Sequence, residues 1–190
     1  MIKTAIVGNI ASGKSAAENI LIELGYKVLD TDKVCHRLLG ELAEVKEYFK
    51  DFDVFENGEI SRVKLGKLVF YNANLKEKLE NILYPSLRLE IQNFFTKNQK
   101  ESLAFVAIPL LFEAGMVDLF DKVVFIYCND EIRLKRLITR NGYTKEYAQT
   151  RINAQISQDE KIVKSDYVIY NETTLENFEN NIKQIVGQIR

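Results

Sequence analysis

Short apolar runs alternate along this chain with longer segments in which apolar residues recur every three or four positions. Most of the short runs are continuously apolar, which is typical of parallel strands that are covered on both faces. Strands are therefore predicted at residues 3–7, 26–30, 103–108, 122–127 and 167–170. Because strands and helices alternate, the chain is predicted to form a three-layer α/β domain around a mostly parallel sheet.

The longer segments predict helices. In one of them Leu134, Leu137 and Ile138 share a face, as the helical period requires. The predicted helices are residues 14–24, 31–39, 61–71, 74–98, 130–140, 144–163 and 174–189. Thr144, followed by Glu146 and Tyr147, is typical of a helix start, since a threonine side chain can cap the first turn.

Two segments interrupt this alternation. Residues 41–98 are rich in helical patterns without a convincing core strand, and we expect them to form an inserted subdomain. Residues 141–163 are polar and helical and form the second interruption. In open α/β sheets such insertions lie beyond the carboxyl ends of the strands, where ligands bind. The core is then predicted to comprise residues 1–40, 99–140 and 164–190.

Composition limits the partners of the chain. Its 190 residues are 46% hydrophobic and 28% charged, which is the range of globular proteins. The 26 basic and 27 acidic residues give a net charge of −1, so whole-molecule attraction to nucleic acid or to an anionic membrane is not expected. Any anion site must be local. We expect a monomer with at most weak self-association.

Cysteine usage and hydropathy indicate a cytoplasmic protein. Cys35 and Cys128 lack the spacing of metal or redox sites and are expected to be buried free thiols, which fits a reducing compartment. The chain shows no long apolar segment near Met1 of the kind found in signal peptides. It also has no run of about 18 apolar residues, the length that a membrane-spanning helix needs.

The strongest motif follows the first predicted strand and opens the first predicted helix. It matches G-x-x-x-x-G-K-[ST] and reads Gly8-Asn9-Ile10-Ala11-Ser12-Gly13-Lys14-Ser15. Glycines permit the backbone torsions and close approach that let successive N–H groups surround phosphate oxygens. Lys14 adds a positive charge near the β- and γ-phosphates, and Ser15 offers its hydroxyl to Mg²⁺. The motif predicts a nucleoside triphosphate site.

Other segments narrow the use of that triphosphate. A GTPase would carry Asn-Lys-x-Asp after a strand, and this sequence has none. In motor ATPases a central strand usually ends in Asp or Glu, whereas residues 103–108 continue into Pro109-Leu110-Leu111-Phe112-Glu113. A small-molecule kinase is therefore favoured. Two alternatives stay open: a kinase for another small acceptor, such as a nucleoside monophosphate, and a nucleotide-dependent binding module that phosphorylates nothing.

Acidic and basic residues beyond the motif fit a kinase. Asp30 ends the second predicted strand and Asp32 follows it, and at this place a carboxylate can orient an acceptor hydroxyl and accept its proton. Asp32 could equally cap the next helix. Arg133, Arg136 and Arg140 share one helix face. Residues 132–164 carry eight Lys or Arg against three Asp or Glu, a local charge of +5, which suits either a solvated face or a lid over the triphosphate.

With these residues in view, the sequence resembles the dephospho-coenzyme A kinase family. The similarity covers nearly the whole chain in the family's order. Residues 28–32 are similar to V-x-D-x-D, residues 108–113 to V-P-L-L-x-E, and residues 165–171 to A-D-x-V-I-x-N. Further similar segments are residues 60–62, 66–70, 84–85, 133–140 and 151–155. Together these segments are much more specific than the phosphate loop alone.

The resemblance implies a P-loop NTPase fold with a mostly parallel five-stranded sheet. It also implies that residues 41–98 bind the acceptor and that residues 141–163 are a lid. The implied reaction transfers the γ-phosphoryl group of ATP, with Mg²⁺, to the 3′-hydroxyl of dephospho-coenzyme A, the last step of coenzyme A synthesis. In that reaction Asp32 would be the general base, and Lys14 and Arg140 would act at the phosphates.

The resemblance further implies binding residues for both substrates. The implied ATP-binding residues are Gly8, Asn9, Ile10, Ala11, Ser12, Gly13, Lys14, Ser15, Ala16, Arg136, Arg140 and Asn171. The implied acceptor-binding residues are Asp30, Asp32, Leu111 and Glu113, and Ser15 would bind the metal. Asn9 and Ala11 stand where the family often has glycine. Tyr84 stands where it usually has histidine, so a role for that ring is not implied.

Overall fold

The computed structural model describes residues 1–189, and it shows an α/β fold. The strands are β1 (Ile2–Gly8), β2 (Lys27–Asp30), β3 (Phe55–Glu56), β4 (Glu59–Ile60), β5 (Leu103–Ala107), β6 (Lys122–Tyr127) and β7 (Tyr167–Tyr170). The helices are α1 (Lys14–Glu23), α2 (Thr31–Glu41), α3 (Ala43–Phe49), α4 (Arg62–Phe70), α5 (Ala73–Lys97), α6 (Asp130–Asn141), α7 (Lys145–Asn153), α8 (Gln158–Val163) and α9 (Leu175–Gln188). A short 3-10 helix covers Val117–Leu119.

The main sheet has five strands in the order β2-β5-β1-β6-β7, and every pairing within it is parallel. All five predicted strands are present within about one residue of the predicted bounds. Every residue of β5 is buried, which requires cover on both faces of the sheet. The prediction from continuous apolar runs is therefore confirmed.

The chain divides into two compact units. One consists of Met1–Asp30 with the chain from Phe95 onward, and the other is Thr31–Phe94. In the first unit, α1 and α9 pack on the sheet through a buried cluster to which Ile6, Phe105 and Phe178 belong. Burying such side chains contributes roughly 1.5–3 kcal/mol each, so this cluster stabilises the strands that carry the site.

The second unit holds α2, α3, α4 and most of α5, with Val45, Phe49 and Leu65 buried inside it. It also contains the hairpin β3–β4, which the sequence analysis did not predict. Asn57 and Gly58 form its turn with φ values of 53° and 81°. An Asn-Gly pair with positive φ is the strongest short-range hairpin signal, so this element was readable from the sequence.

The single helix predicted at residues 144–163 is wrong, because the segment forms two helices, α7 and α8. The Ser157 side chain accepts a hydrogen bond from the Glu160 N–H at 3.2 Å and so caps α8. The Ser-x-x-Glu spacing is a capping signal that restarts a helix here. The predicted start of α7 is confirmed, since Thr144 Oγ1 accepts from the Tyr147 N–H at 3.2 Å.

Cys128 is fully buried with a free thiol, as predicted. Cys35 is also a free thiol, but it is only partly buried on α2, so the prediction of burial is wrong for this residue. Its helix buries Val34 and Leu38, and Cys35 lies beside that buried stripe rather than within it. Within residues 1–189, no helix combines the length and the apolar character needed to cross a membrane.

Candidate active site

The carboxyl ends of the five parallel strands meet at one edge of the sheet. Ala107 in β5 pairs with Ile6 in β1 and with Asp30 in β2. On the other side, Gly8 pairs with Ile126 in β6. The segments that follow these strands therefore start side by side, as in other open α/β sheets that bind ligands at this edge.

The loop between β1 and α1 has left-handed backbone at two positions, one of them a glycine of the motif. Gly13 has φ 104° and Ala11 has φ 62°. The Ser12 N–H donates to the Asn9 carbonyl at 3.0 Å and closes a tight turn. In α1, the first helical hydrogen bond runs from the Ala17 N–H to the Gly13 carbonyl at 3.1 Å. The N–H groups of Ser15 and Ala16 precede that bond, so they have no partner within the helix.

Two glycines of this loop stand where a side chain would not fit. A Cβ added to Gly8 would lie 2.4 Å from Ser12 Oγ. A Cβ added to Gly13 would lie 2.0 Å from Asn171 Nδ2. The loop is thus shaped by close approach as well as by positive φ, which is backbone geometry that lets N–H groups surround a phosphate group.

Asn171 follows β7 directly, and its side chain contacts the loop between β1 and α1. Its Nδ2 donates to the Ser12 carbonyl at 2.7 Å, and the residue is buried. The Asn171 carbonyl in turn accepts a hydrogen bond from Arg136 Nη2 at 3.3 Å. In this structure, the amide group of Asn171 therefore contacts the loop itself.

Two arginines of α6 bind carbonyl groups of the same loop. Arg133 Nε donates to the Ile10 carbonyl at 2.9 Å, and its Nη1 donates to Asp130 Oδ1 at 2.6 Å. Arg136 Nη1 lies 3.3 Å from the Ala11 carbonyl and 3.4 Å from that of Ser12. In a trans peptide the carbonyl and the next N–H point in opposite directions. Because the carbonyls face α6, the N–H groups of Ala11 and Gly13 face away from it.

Arg140 lies one turn further along α6 and is exposed. Its Nε donates to Asn141 Oδ1 at 2.9 Å. Gly142 ends the helix with φ 65°, which is the left-handed C-cap that an Asn-Gly pair predicts. The cation predicted to act at the phosphates thus borders the turn at which the predicted lid begins.

Lys14 and Ser15 begin α1. The Lys14 ammonium lies 2.7 Å from Glu18 Oε1, and both side chains are about one-tenth exposed. Ser15 is exposed in the first turn of the helix. A hydroxyl oxygen at this place is a hard ligand of the kind that Mg²⁺ prefers.

The linker between α7 and α8 contacts the loop from another side. The Ile10 N–H donates to Gln155 Oε1 at 2.7 Å, and Asn9 Nδ2 donates to the Ile156 carbonyl at 3.0 Å. The N–H of Ile10 is therefore engaged by a side chain of the chain itself. The Asn9 side chain makes a contact here that a glycine could not make.

The predicted acceptor residues lie in two segments, one around the end of β2 and one after β5. Asp30 ends β2, and Asp32 is exposed in the first turn of α2. Since α2 begins at Thr31, Asp32 lies inside the helix, and the alternative that it is the N-cap is wrong. Leu111 is fully buried, whereas the Glu113 carboxylate pairs with the Lys161 ammonium at 2.8 Å.

Burial changes the acid–base properties of two groups beside the loop. Desolvation lowers the pKa of Arg133, and the neighbouring Asp130 carboxylate opposes that change. Desolvation raises the pKa of the Cys128 thiol, while the guanidinium of Arg136, with Nη1 3.4 Å from Sγ, opposes it. Cys128 is therefore a neutral thiol at neutral pH.

Comparison with known proteins assigns the chain to a family. The model of the dephospho-CoA kinase family matches residues 2–177. The chain belongs to the dephospho-CoA kinase family. A dephospho-CoA kinase of Listeria innocua is 36% identical over 185 residues, which is 93% of this chain and 92% of that protein. The predicted family and the predicted enzyme class, a kinase, are confirmed.

Two solved structures are similar to the chain over nearly its whole length, and one of them is named a dephospho-CoA kinase. A dephospho-CoA kinase from Campylobacter jejuni matches 98% of this chain and 96% of its own, with 32% identity and a TM-score of 0.74. The protein TT1252 from Thermus thermophilus matches 100% of this chain and 98% of its own, with 29% identity and a TM-score of 0.86. The predicted P-loop kinase fold is confirmed.

Three residues with long-range contacts around the candidate site were not predicted as site residues. Arg133 and Gln155 stood in segments that resemble the family, but nothing in their spacing showed that they contact Ile10. Lys161 stood in a predicted helix without any assigned role. All three make contacts over long sequence separations, which periodicity does not report.

Proposed function

We propose that this chain transfers the γ-phosphoryl group of ATP to the 3′-hydroxyl of dephospho-coenzyme A and so makes coenzyme A. In this step the bond between the 3′-oxygen and γ-phosphorus forms, and the bond from γ-phosphorus to the ADP oxygen breaks. The hydroxyl proton passes to a carboxylate. The observation that carries the proposal is the family match over residues 2–177, which includes the phosphate loop at the carboxyl edge of the sheet.

The phosphate loop is proposed to bind the triphosphate of ATP. Its fit is supported by the two glycine positions that have no room for a Cβ, and by N–H groups turned away from α6. Lys14 would leave Glu18 for the β- and γ-phosphates, where its positive charge stabilises the phosphoryl group in transfer. The wider set proposed for ATP binding is residues 8–16 with Arg136, Arg140 and Asn171.

Mg²⁺ is the proposed metal. On this chain the Ser15 hydroxyl, exposed in the first turn of α1, would hold the ion, which would also bind phosphate oxygens of ATP. When bound, the ion neutralises charge on the β- and γ-phosphates.

Asp32 is proposed to be the general base that accepts the proton of the acceptor hydroxyl. Its place two residues after the end of β2 and its exposure support this role. Asp30, Leu111 and Glu113 are the further residues proposed for acceptor binding. Because the side chain of Leu111 is fully buried, Leu111 is proposed to contact the acceptor through its main chain.

The remaining proposals concern organisation. Residues 41–98 are proposed to bind the acceptor and residues 141–163 to act as the lid. The lid begins directly after Arg140, which is proposed to act at the phosphates, and its last part is held by the contacts of Gln155 and Lys161. Gly142, with φ 65°, supports a hinge at the start of that lid. We also propose that the protein is a monomer in the cytoplasm, which light scattering and fractionation would test.

The deciding experiment is turnover with Mg-ATP and a panel of acceptors. Dephospho-coenzyme A should give ADP and 3′-phosphorylated product, whereas nucleoside monophosphates should not react, because a site built for one substrate leaves its polar groups unpaired with another. Wild-type turnover that does not exceed solvent ATP hydrolysis would refute the proposed function.

The variant Asp32→Asn tests the proposed base. We expect kcat to fall about 100- to 10,000-fold, the usual contribution of general base catalysis, with ATP affinity unchanged. The matched control is Asp118→Asn, which neutralises another exposed aspartate outside the segments proposed to bind substrate and should leave kcat unchanged. An unchanged kcat in Asp32→Asn would remove Asp32 from this role.

A further inference from the structure

Lys161 in α8 is fully buried, although lysine is rarely found without solvent. Its ammonium lies 2.8 Å from Glu113 Oε1, and the side-chain exposures are 0% for Lys161 and 19% for Glu113. A second acceptor, the Pro109 carbonyl, lies 3.5 Å from the same nitrogen. An ammonium excluded from water must keep its partners, so this side chain holds one short segment of chain at two points.

That segment starts at the carboxyl edge of the sheet. It follows β5, whose last residue Ala107 pairs with Ile6 in β1 and with Asp30 in β2. The Ile108 N–H also donates to the Ile6 carbonyl at 3.0 Å. Residues 109–113 therefore leave the sheet between the strand that leads into the phosphate loop and the strand that ends in Asp30.

The chain just before Lys161 is fixed to the phosphate loop. Gln155 accepts from the Ile10 N–H, and the Ile156 carbonyl accepts from the Asn9 side chain. Gln158, at the start of α8, donates to the Cys128 carbonyl at 2.9 Å and accepts from the Cys128 N–H at 3.3 Å. Residues 155–161 thus contact the phosphate loop at one end and the Glu113 segment at the other.

We infer that Lys161 is a positioning residue for the acceptor: it holds the Glu113 carboxylate, and with it residues 109–113, in a place set by the phosphate loop through residues 155–158. This inference rests on the proposed function, in which Glu113 contacts dephospho-coenzyme A. Lys161 itself is too deeply buried to touch either substrate. Its effect should therefore be selective for the acceptor.

The variant Lys161→Met tests this role, since methionine keeps the length of the side chain and removes its charge. We expect the KM for dephospho-coenzyme A to rise roughly 10- to 100-fold, because a small misplacement of a positioning group has effects of that size. The KM for ATP, and ATP binding without acceptor, should stay within about twofold. Lys161→Arg, which keeps the charge, should recover part of the acceptor KM.

The matched control is Lys183→Met, which breaks the exposed pair with Glu179 on α9 and should change neither KM. A double-mutant cycle that combines Lys161→Met with Glu113→Gln gives a second readout, so the test does not rest on the single variant Lys161→Met alone. If Lys161 acts through Glu113, the double variant should have nearly the acceptor KM of Glu113→Gln alone.

Independent, additive effects in that cycle, or equal rises in both KM values for Lys161→Met, would overturn the inference. So would an unchanged acceptor KM in a folded Lys161→Met variant. These outcomes are distinct from failure of the proposed function, in which the wild-type chain would not phosphorylate dephospho-coenzyme A at all.

Discussion

Replacing Gly13 by alanine should weaken nucleotide binding while leaving the sheet intact. Gly13 has φ 104°, a backbone conformation that L side chains rarely adopt. The new Cβ would also lie 2.0 Å from Asn171 Nδ2, which is too close for two non-bonded heavy atoms. Either the loop or Asn171 must move, and the hydrogen bond from Asn171 to the Ser12 carbonyl, 2.7 Å long, is then broken.

The size of the effect follows from these two causes. A left-handed backbone costs a non-glycine residue about 1–2 kcal/mol. A buried group that loses its hydrogen-bond partner costs about 1–3 kcal/mol more. If the loop must regain its native shape to hold phosphate, the sum of about 2–5 kcal/mol appears as weaker binding, and about 1.4 kcal/mol corresponds to a tenfold change. We therefore expect the Kd for Mg-ATP to rise at least about 30-fold.

Isothermal titration of Mg-ATP against Gly13→Ala measures this change. Gly25→Ala is the matched control, because Gly25 has φ 89° but nothing within 4 Å of an added Cβ. It should lose stability from backbone strain alone and bind ATP normally. Wild-type affinity in the folded Gly13→Ala variant would refute the role assigned to this loop.

Two other predictions concern buried groups beside the loop. Arg133→Leu leaves the Ile10 carbonyl without its donor, so we expect a loss of about 1–3 kcal/mol in the free energy of unfolding and a lower Tm. Lys135→Leu on the exposed face of α6 is its control, and equal Tm values for the two variants would contradict the prediction. A thiol reagent should label partly exposed Cys35 first and Cys128 only after unfolding, since Cys128 is buried and the pKa of its thiol is raised. Mass spectrometry of the labelled protein measures this order. Rapid labelling of Cys128 in the native protein would contradict the prediction.

Elements whose character depends on local pattern were predictable from the sequence. The strands are continuous apolar runs because both faces of the sheet are covered, and the structure has all five within about one residue. The start of α7 at Thr144 follows from cap chemistry that four residues contain. The break before α8 follows from the same chemistry at Ser157, which the long polar pattern of residues 144–163 concealed.

The candidate site was predictable only in part. The geometry of the phosphate loop could be predicted, because the spacing of its glycines and lysine within eight residues specifies the backbone torsions. The contact between Lys161 and Glu113 joins residues 48 positions apart, and that between Asn171 and Ser12 joins residues 159 apart. Such pairs depend on sheet order, which a single sequence does not contain.

The loop motif and the side chains around it divide the work of binding an anion. The motif supplies N–H groups, but each peptide could turn either face toward the ligand. Three side chains fix the orientation of these peptides by donating to loop carbonyls. Arg133 donates to the Ile10 carbonyl, Arg136 to those of Ala11 and Ser12, and Asn171 to that of Ser12. Because a planar trans peptide turns its N–H opposite to its carbonyl, these donors orient the Ala11 and Gly13 N–H groups through the backbone. A cationic side chain beside a phosphate loop can thus strengthen anion binding through the backbone, and loss of Arg133 should weaken ATP binding even though its guanidinium is buried.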